Sequence, residues 1–565
     1  MSNIGSYDDR RASFSWDAAR EELGLQDLPA NIGWLCSDQI VERGDGDKTA
    51  LIWEGHGDKT ATLTFDDLRL RSNAFGQLLL DLNIEPGARV ALFMDRIPEL
   101  YISFVGVLKV GCIVQPLFSA FGDESLQTRM EDAGTEVVIT QLRHARKIRK
   151  IREQLPALQQ VIVVDAPQEK LKDGERPFDL DSVELPESIA LHESGPDTPS
   201  VLHYTSGTTG KPKGALHCHR SITAQMISSR YVLDLQPDDI YWCTADPGWV
   251  TGTSYGIIGP WALGVTQVVY DGGFSVEKWY RVLQDYKVTV WYSAPTAIRL
   301  LMKEGTELVQ KFDFSHLRHM CSVGEPLNPE AVTWSIEAFG MPFHDSFWQT
   351  ETGAIMISNY PGMPVKPGSM GKPFPGVKAA VLDLKTYEPI DEANKVGVIG
   401  LMPPWPSIIE TYWHNKAKFD DKFRNGWYLT GDRATIDEEG YYWFVGRDDD
   451  VINTGGHLVG PFEIESALLE HEAVAESAAI GAPDEVNMEV VKVFVVLKPG
   501  FEASKELKLS IMNNIRKRLS PLAMPQHIEF SETLPRTRSG KILRRMLKAK
   551  EWGLPIGDLS TLEDD

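Results

Sequence analysis

The segment Tyr204-Thr205-Ser206-Gly207-Thr208-Thr209-Gly210-Lys211-Pro212-Lys213-Gly214 crowds hydroxyls, glycines and lysines into one short stretch. Glycines let backbone N–H groups wrap a phosphate, hydroxyls donate further bonds and lysine neutralises charge, so this stretch is suited to cradling phosphate. It is not a GxxxxGK[ST] loop: Thr205 stands where the first glycine is needed, and Pro212 follows Gly210-Lys211. Two further cation clusters stand out. Residues 536–550 contain Lys541 after Ser539-Gly540 and hold no Asp or Glu. Residues 143–152 read Arg143-His144-Ala145-Arg146-Lys147-Ile148-Arg149-Lys150-Ile151-Arg152. Taken singly, these are a surface linker, a solvated lysine and a solvated helix face.

The elements that must position them read as alternating helices and short buried strands. Thr64 caps a helix carrying Leu68, Phe75, Leu78, Leu79 and Leu82 at helical spacing, and Pro98 opens another. Apolar runs at 90–94, 137–140, 161–164, 268–270 and 288–292 are expected as buried strands, which together with helices imply parallel sheets. Near Gly446 the pattern changes to a charged cluster, Arg447-Asp448-Asp449-Asp450, then Gly455-Gly456 and the elements of a small α+β unit. Over 565 residues, Lys+Arg 57 against Asp+Glu 80 leaves a net charge of −23, which argues against generic nucleic-acid or anionic-membrane binding. A hydrophobic fraction of 42% supports large cores. The 5 cysteines are odd in number with no CxxC pair, fitting free thiols in a cytoplasmic, reducing setting.

The phosphate-loop segment is followed by Gly324-Glu325-Pro326, Gln349-Thr350-Glu351-Thr352-Gly353, Tyr428-Leu429-Thr430-Gly431-Asp432, Gly446-Arg447-Asp448-Asp449-Asp450 and Pro535-Arg536-Thr537-Arg538-Ser539-Gly540-Lys541. In this order they resemble the acyl-adenylate-forming (ANL) superfamily over roughly residues 30 to 550. Within it, Ala245-Asp246-Pro247-Gly248-Trp249-Val250-Thr251-Gly252 and Phe347-Trp348-Gln349 are most similar to the AMP-forming acetyl-CoA synthetases. The resemblance implies an α/β fold: an N-terminal body (1–447) of parallel-sheet subdomains with a β-barrel portion, and a small mobile α+β C-terminal domain (448–565). It implies a short-chain carboxylate:CoA ligase, acetate first, that forms an acyl-adenylate and pyrophosphate and then a thioester, reversibly. A propionate or other short-chain acyl-CoA synthetase is the alternative.

The roles carried over are specific. Lys541 supplies charge at the reacting atoms, Thr350 bonds the α-phosphate, and Glu351 holds Mg²⁺. Thr205, Ser206, Gly207, Thr208, Thr209, Gly210 and Lys213 cradle phosphates. Gly324, Glu325, Pro326, Asp345, Ser346, Phe347, Trp348 and Gln349 flank the nucleotide, and Asp432 with Arg447 takes the ribose. Val250, Thr251, Val323 and Trp348 wall the acyl pocket, the indole limiting chain length. Arg146, Lys147, Arg149 and Arg516 meet the CoA phosphates, while Thr251, Gly455 and Gly456 line its pantetheine path. Asp449 is the hinge, and Leu469, His471 and Val474 form a second cation site. Leu458 and Gly455 depart from the arginine and serine of the family pattern. The implied partners are small molecules (carboxylate, ATP, CoA) with Mg²⁺, no nucleic acid and no membrane. A lysine acyltransferase and deacylase acting on Lys541 would add and remove a group that cancels its charge.

Overall fold

A computed structural model describes residues 2–57, 59–205, 212–454, 457–484, 487–519, 521–537 and 541–556, without the His457 side chain. Local chemistry sets the first elements. Thr64 and Asp67 form a reciprocal capping box on helix Phe65–Asp81, and Pro98 occupies the first turn of helix Pro98–Lys109. Strands Ile113–Pro116, Val137–Thr140 and Val290–Ser293 are buried throughout, as strands covered on both faces must be.

Among the described residues the large body contains a 14-stranded and an 8-stranded sheet. The centre of the first runs parallel through Phe343–Phe347, His319–Val323, Val290–Ser293, Ile240–Cys243, Thr266–Tyr270 and Thr49–Glu54. The barrel portion expected from the sequence corresponds to an antiparallel stretch between residues 357 and 447. It continues this sheet through Ile357–Ser358 and Ser369–Pro373. The second sheet is parallel from Pro199–Thr205 through Ile113–Pro116, Arg89–Phe93, Val137–Thr140 and Gln160–Val163, with antiparallel Lys213–Cys218 and Thr411–Tyr412 at one edge.

Among the described residues beyond 451, a 5-stranded sheet with helices Pro461–Leu469, Lys505–Arg518 and Arg544–Trp552 forms the small α+β domain. Ile452, Ile464, Leu468, Val493, Val495, Ile511 and Ile515 give it a core of its own. In an open parallel sheet, ligands sit beyond the carboxyl ends of the strands. Here the carboxyl ends of Pro199–Thr205, His319–Val323 and Phe343–Phe347 share a cavity with residues of the small domain.

Candidate active site

The carboxyl ends of four strands meet at one cavity of about 460 Å³. Strand Pro199–Thr205 delivers Thr205, and His319–Val323 delivers Val323, Gly324, Glu325 and Pro326. Strand Phe343–Phe347 delivers Asp345, Ser346 and Phe347, followed by Trp348, Gln349, Thr350 and Glu351. The segment after Ile240–Cys243 delivers Val250 and Thr251. Lys213, Asp432, Arg447, Asp449 and, from the small domain, Lys541 complete the predicted set in the wall. Ser206, Gly207, Thr208, Thr209, Gly210, Gly455 and Gly456 lie outside the described residues.

Asp432 is held for acceptance. Its buried carboxylate takes a hydrogen bond from Gln349 Nε2 and faces Arg447 Nη1 at 3.4 Å. Gln349 is itself fixed, donating to Thr430 O at 3.0 Å and accepting from the Tyr428 hydroxyl at 3.1 Å. Burial pushes the Asp432 carboxyl up, and the Arg447 and Lys541 charges oppose it. At Glu325 burial also pushes up, but Arg299 at 2.7 Å and the Thr296 hydroxyl at 2.6 Å hold the carboxyl below its ordinary value. Lys541 is tied back to Thr537 by two hydrogen bonds. Its N–H donates to Thr537 Oγ1 at 3.0 Å, Thr537 N–H donates back to Lys541 O at 2.7 Å, and Arg536 pairs with Ile542. The Lys541 charge reaches Asp432, Glu325 and Asp450.

Trp348 is braced rather than loose. Tyr255 meets the indole edge-on at 5.1 Å, the Tyr292 hydroxyl lies 3.4 Å from its Nε1, and Tyr292 is tied to Ser346 at 2.8 Å. An indole so fixed cannot move without repacking its neighbours.

Sequence reasoning missed several lining residues. His203, whose Nε2 lies 2.7 Å from Thr253 Oγ1, Tyr412, Lys422, Phe444 and Phe462 also line the cavity. No motif carries them, because their partners are remote in sequence.

Other expected residues lie apart. Helix Leu142–Ile151 carries Arg146, exposed, and Arg149, which makes a two-pronged pair with Glu175 at 2.7 and 2.8 Å. Lys147 Nζ donates to Phe121 O at 2.7 Å. Arg149 thus engages a carboxylate through both prongs of its guanidinium. Arg516 lies in the last turn of helix Lys505–Arg518 of the small domain. At the expected second cation site the imidazole of His471 has two protein partners. His471, between Leu469 and Val474 in sequence, accepts at Nδ1 from Ala473 N–H at 3.2 Å, and its Nε2 meets Ser510 Oγ at 3.0 Å. Among the described residues, no group of three or more His, Cys, Asp or Glu gathers to hold a metal. Nor is any described helix long and apolar enough to cross a membrane.

Residues 38–413 match the family described as AMP-binding enzyme, and residues 463–541 match the AMP-binding enzyme C-terminal domain. The acetyl-coenzyme A synthetase of Bacillus subtilis (strain 168) is 44% identical, over 100% of this chain and 98% of its own. That of Gemmatimonas aurantiaca is 37% identical, over 98% of this chain and 89% of its own. Among solved structures, a Brucella canis acyl-CoA synthetase superposes with a TM-score of 0.75 at 34% identity, covering 97% of this chain and 99% of that one. The anthranilate CoA ligase AuaEII with anthranoyl-AMP gives 0.83 at 29% identity, covering 93% and 98%.

Proposed function

The chain belongs to the AMP-binding enzyme family, and from that premise we propose that it joins acetate to coenzyme A while cleaving ATP to AMP and pyrophosphate. The observation that carries this reading is the convergence of Lys541, Thr350, Glu351, Asp432 and Trp348 on one cavity. An acetate oxygen would attack the α-phosphorus, forming acetyl-adenylate as the bond to pyrophosphate breaks. The CoA sulfur would then attack the acetyl carbon, forming the thioester and releasing AMP. Both steps bring anions together, so the protein's task is alignment and charge.

In this reading Lys541 stands against the carboxylate and α-phosphate oxygens, and Thr350 donates its hydroxyl to the α-phosphate. Asp432 accepts from the ribose hydroxyls, with Arg447 beside it. Gly324, Glu325, Pro326, Asp345, Ser346 and Phe347 enclose adenine and ribose. Val250, Thr251, Val323 and Trp348 would wall the acyl end of the cavity, the indole favouring acetate, the acid in the names of the relatives at 44% and 37% identity. The residues present fit Mg²⁺. Glu351 lines the cavity, its Oε1 accepts from the Tyr412 hydroxyl, and its Oε2 has no hydrogen-bond partner among the described residues. When bound, Mg²⁺ would offset the charge of the departing phosphates.

For the second step, 448–565 would turn about Asp449 and carry Lys541 away. Arg146 and Arg516 would meet the CoA phosphates, and Gly455 and Gly456 would line the pantetheine path. Lys541→Ala separates the steps. Acetate-dependent ATP–pyrophosphate exchange should fall roughly a hundredfold or more, while supplied acetyl-adenylate is still transferred to CoA. Equal loss in both half-reactions would overturn the assignment.

A further inference from the structure

Glu351 is held twice by one strap of chain, residues 405–412. The Trp405 Nε1 and Ser407 hydroxyl donate to Thr352 O at 3.1 and 2.6 Å, and Ile409 N–H donates to Glu351 O at 3.0 Å. At the strap's end the Tyr412 hydroxyl donates to Glu351 Oε1 at 2.6 Å. Tyr412 is itself immobile: 1% exposed, paired opposite Ala215 in the sheet, and in edge contact with Phe419 at 6.0 Å. Its ring also carries the Lys213 ammonium, 5.1 Å from the centroid. One tyrosine thus fixes both a carboxylate and a cation of the phosphate end of the cavity.

We infer that Tyr412 is a positioning residue that makes Glu351 a one-oxygen ligand and thereby favours Mg²⁺ over Ca²⁺. This rests on the proposed role of Glu351. A carboxylate with one oxygen engaged by a hydroxyl offers the other alone. Mg²⁺ demands near-octahedral coordination and usually takes one or two carboxylates together with substrate phosphates, whereas Ca²⁺ accepts both oxygens of one carboxylate in a larger, looser shell. Removing the hydroxyl frees the carboxylate to rotate and to present both oxygens.

The test is calorimetry on the full chain, titrating ATP with Mg²⁺, ATP with Ca²⁺, and AMP without metal. Tyr412→Phe keeps the ring, its Phe419 contact and its face to Lys213. The Mg²⁺-to-Ca²⁺ affinity ratio for ATP should fall about tenfold with AMP affinity unchanged, the loss of one charge-assisted hydrogen bond. An unchanged ratio, or an equal loss for AMP, overturns the inference, the latter by making Tyr412 merely structural. Glu351→Gln separates the two levels. If it abolishes the metal dependence while Tyr412→Phe keeps the wild-type ratio, only the role of Tyr412 falls. If it leaves the metal dependence intact, the assignment of Glu351 falls with it.

Discussion

Asp345 shows how a single buried carboxyl at this site ties binding geometry to pH. Burial pushes its pKa from 3.8 up to about 7, against the pull of the Ser322 hydroxyl at 2.6 Å. The unfolded chain ionises this group near 3.8 while the folded chain holds the proton to about 7. The folded state therefore binds more protons across that window, and stability falls as pH rises through it. Asp345→Asn removes the penalty. Its melting temperature relative to wild type should climb across that interval and level off above it. A difference that stays flat with pH would contradict the account. Lys541 and Asp432 are residues of another kind: their identity is evident from adjacent motif residues, but their setting is not. That Gln349 orients Asp432 emerges only when strands at 343–347 and 427–436 are laid together.

At the scale of elements, the loop 349–353 is pinned by the strap 405–412. Gly353 has φ +70, and a Cβ there would lie 2.2 Å from Ser407 O in the strap. Gly353→Ala should cost about 2 kcal/mol or more in urea unfolding and weaken AMP binding, since the strap and the loop cannot both keep their places. Retained stability with unchanged affinity would show the strap to be slack. Elements with local signals were legible in the sequence. The Thr64–Asp67 cap, Pro98 at a helix start and fully apolar strands declare themselves within a few residues. Strands Ile357–Ser358 and Thr411–Tyr412 were not, being too short to show any period. Tyr412 was missed for that reason, its partner lying 61 residues away. The partners of Arg149 and His471 were not legible either, because a cation run and a lone histidine say nothing about Glu175 or Ser510, which meet them through tertiary packing.

At the scale of the whole molecule, the net charge of −23 conceals a local balance at the junction of body and small domain. Lys303 of the body and Arg536 of the small domain both pair with Glu476, Asn328 donates to Ser466 Oγ at 2.9 Å, and Arg544 pairs with Glu465 beside them. These contacts accompany the arrangement in which Lys541 lines the cavity. Glu476→Gln removes the shared counter-charge, so the adenylate-forming half-reaction should slow roughly fivefold or more. Transfer of supplied acetyl-adenylate to CoA should not slow. Parallel slowing of both would mean that Glu476 stabilises the small domain itself rather than its docking. The central claim, that this cavity activates a short carboxylate by adenylation, is tested most directly by pyrophosphate release across a series of straight-chain acids, with and without CoA. The account predicts release that depends on the acid, is greatest with acetate, weaker with propionate and lost with longer chains, and that becomes sustained, with matching AMP, when CoA is present. Release indifferent to the acid, or products of ADP and phosphate, would contradict it.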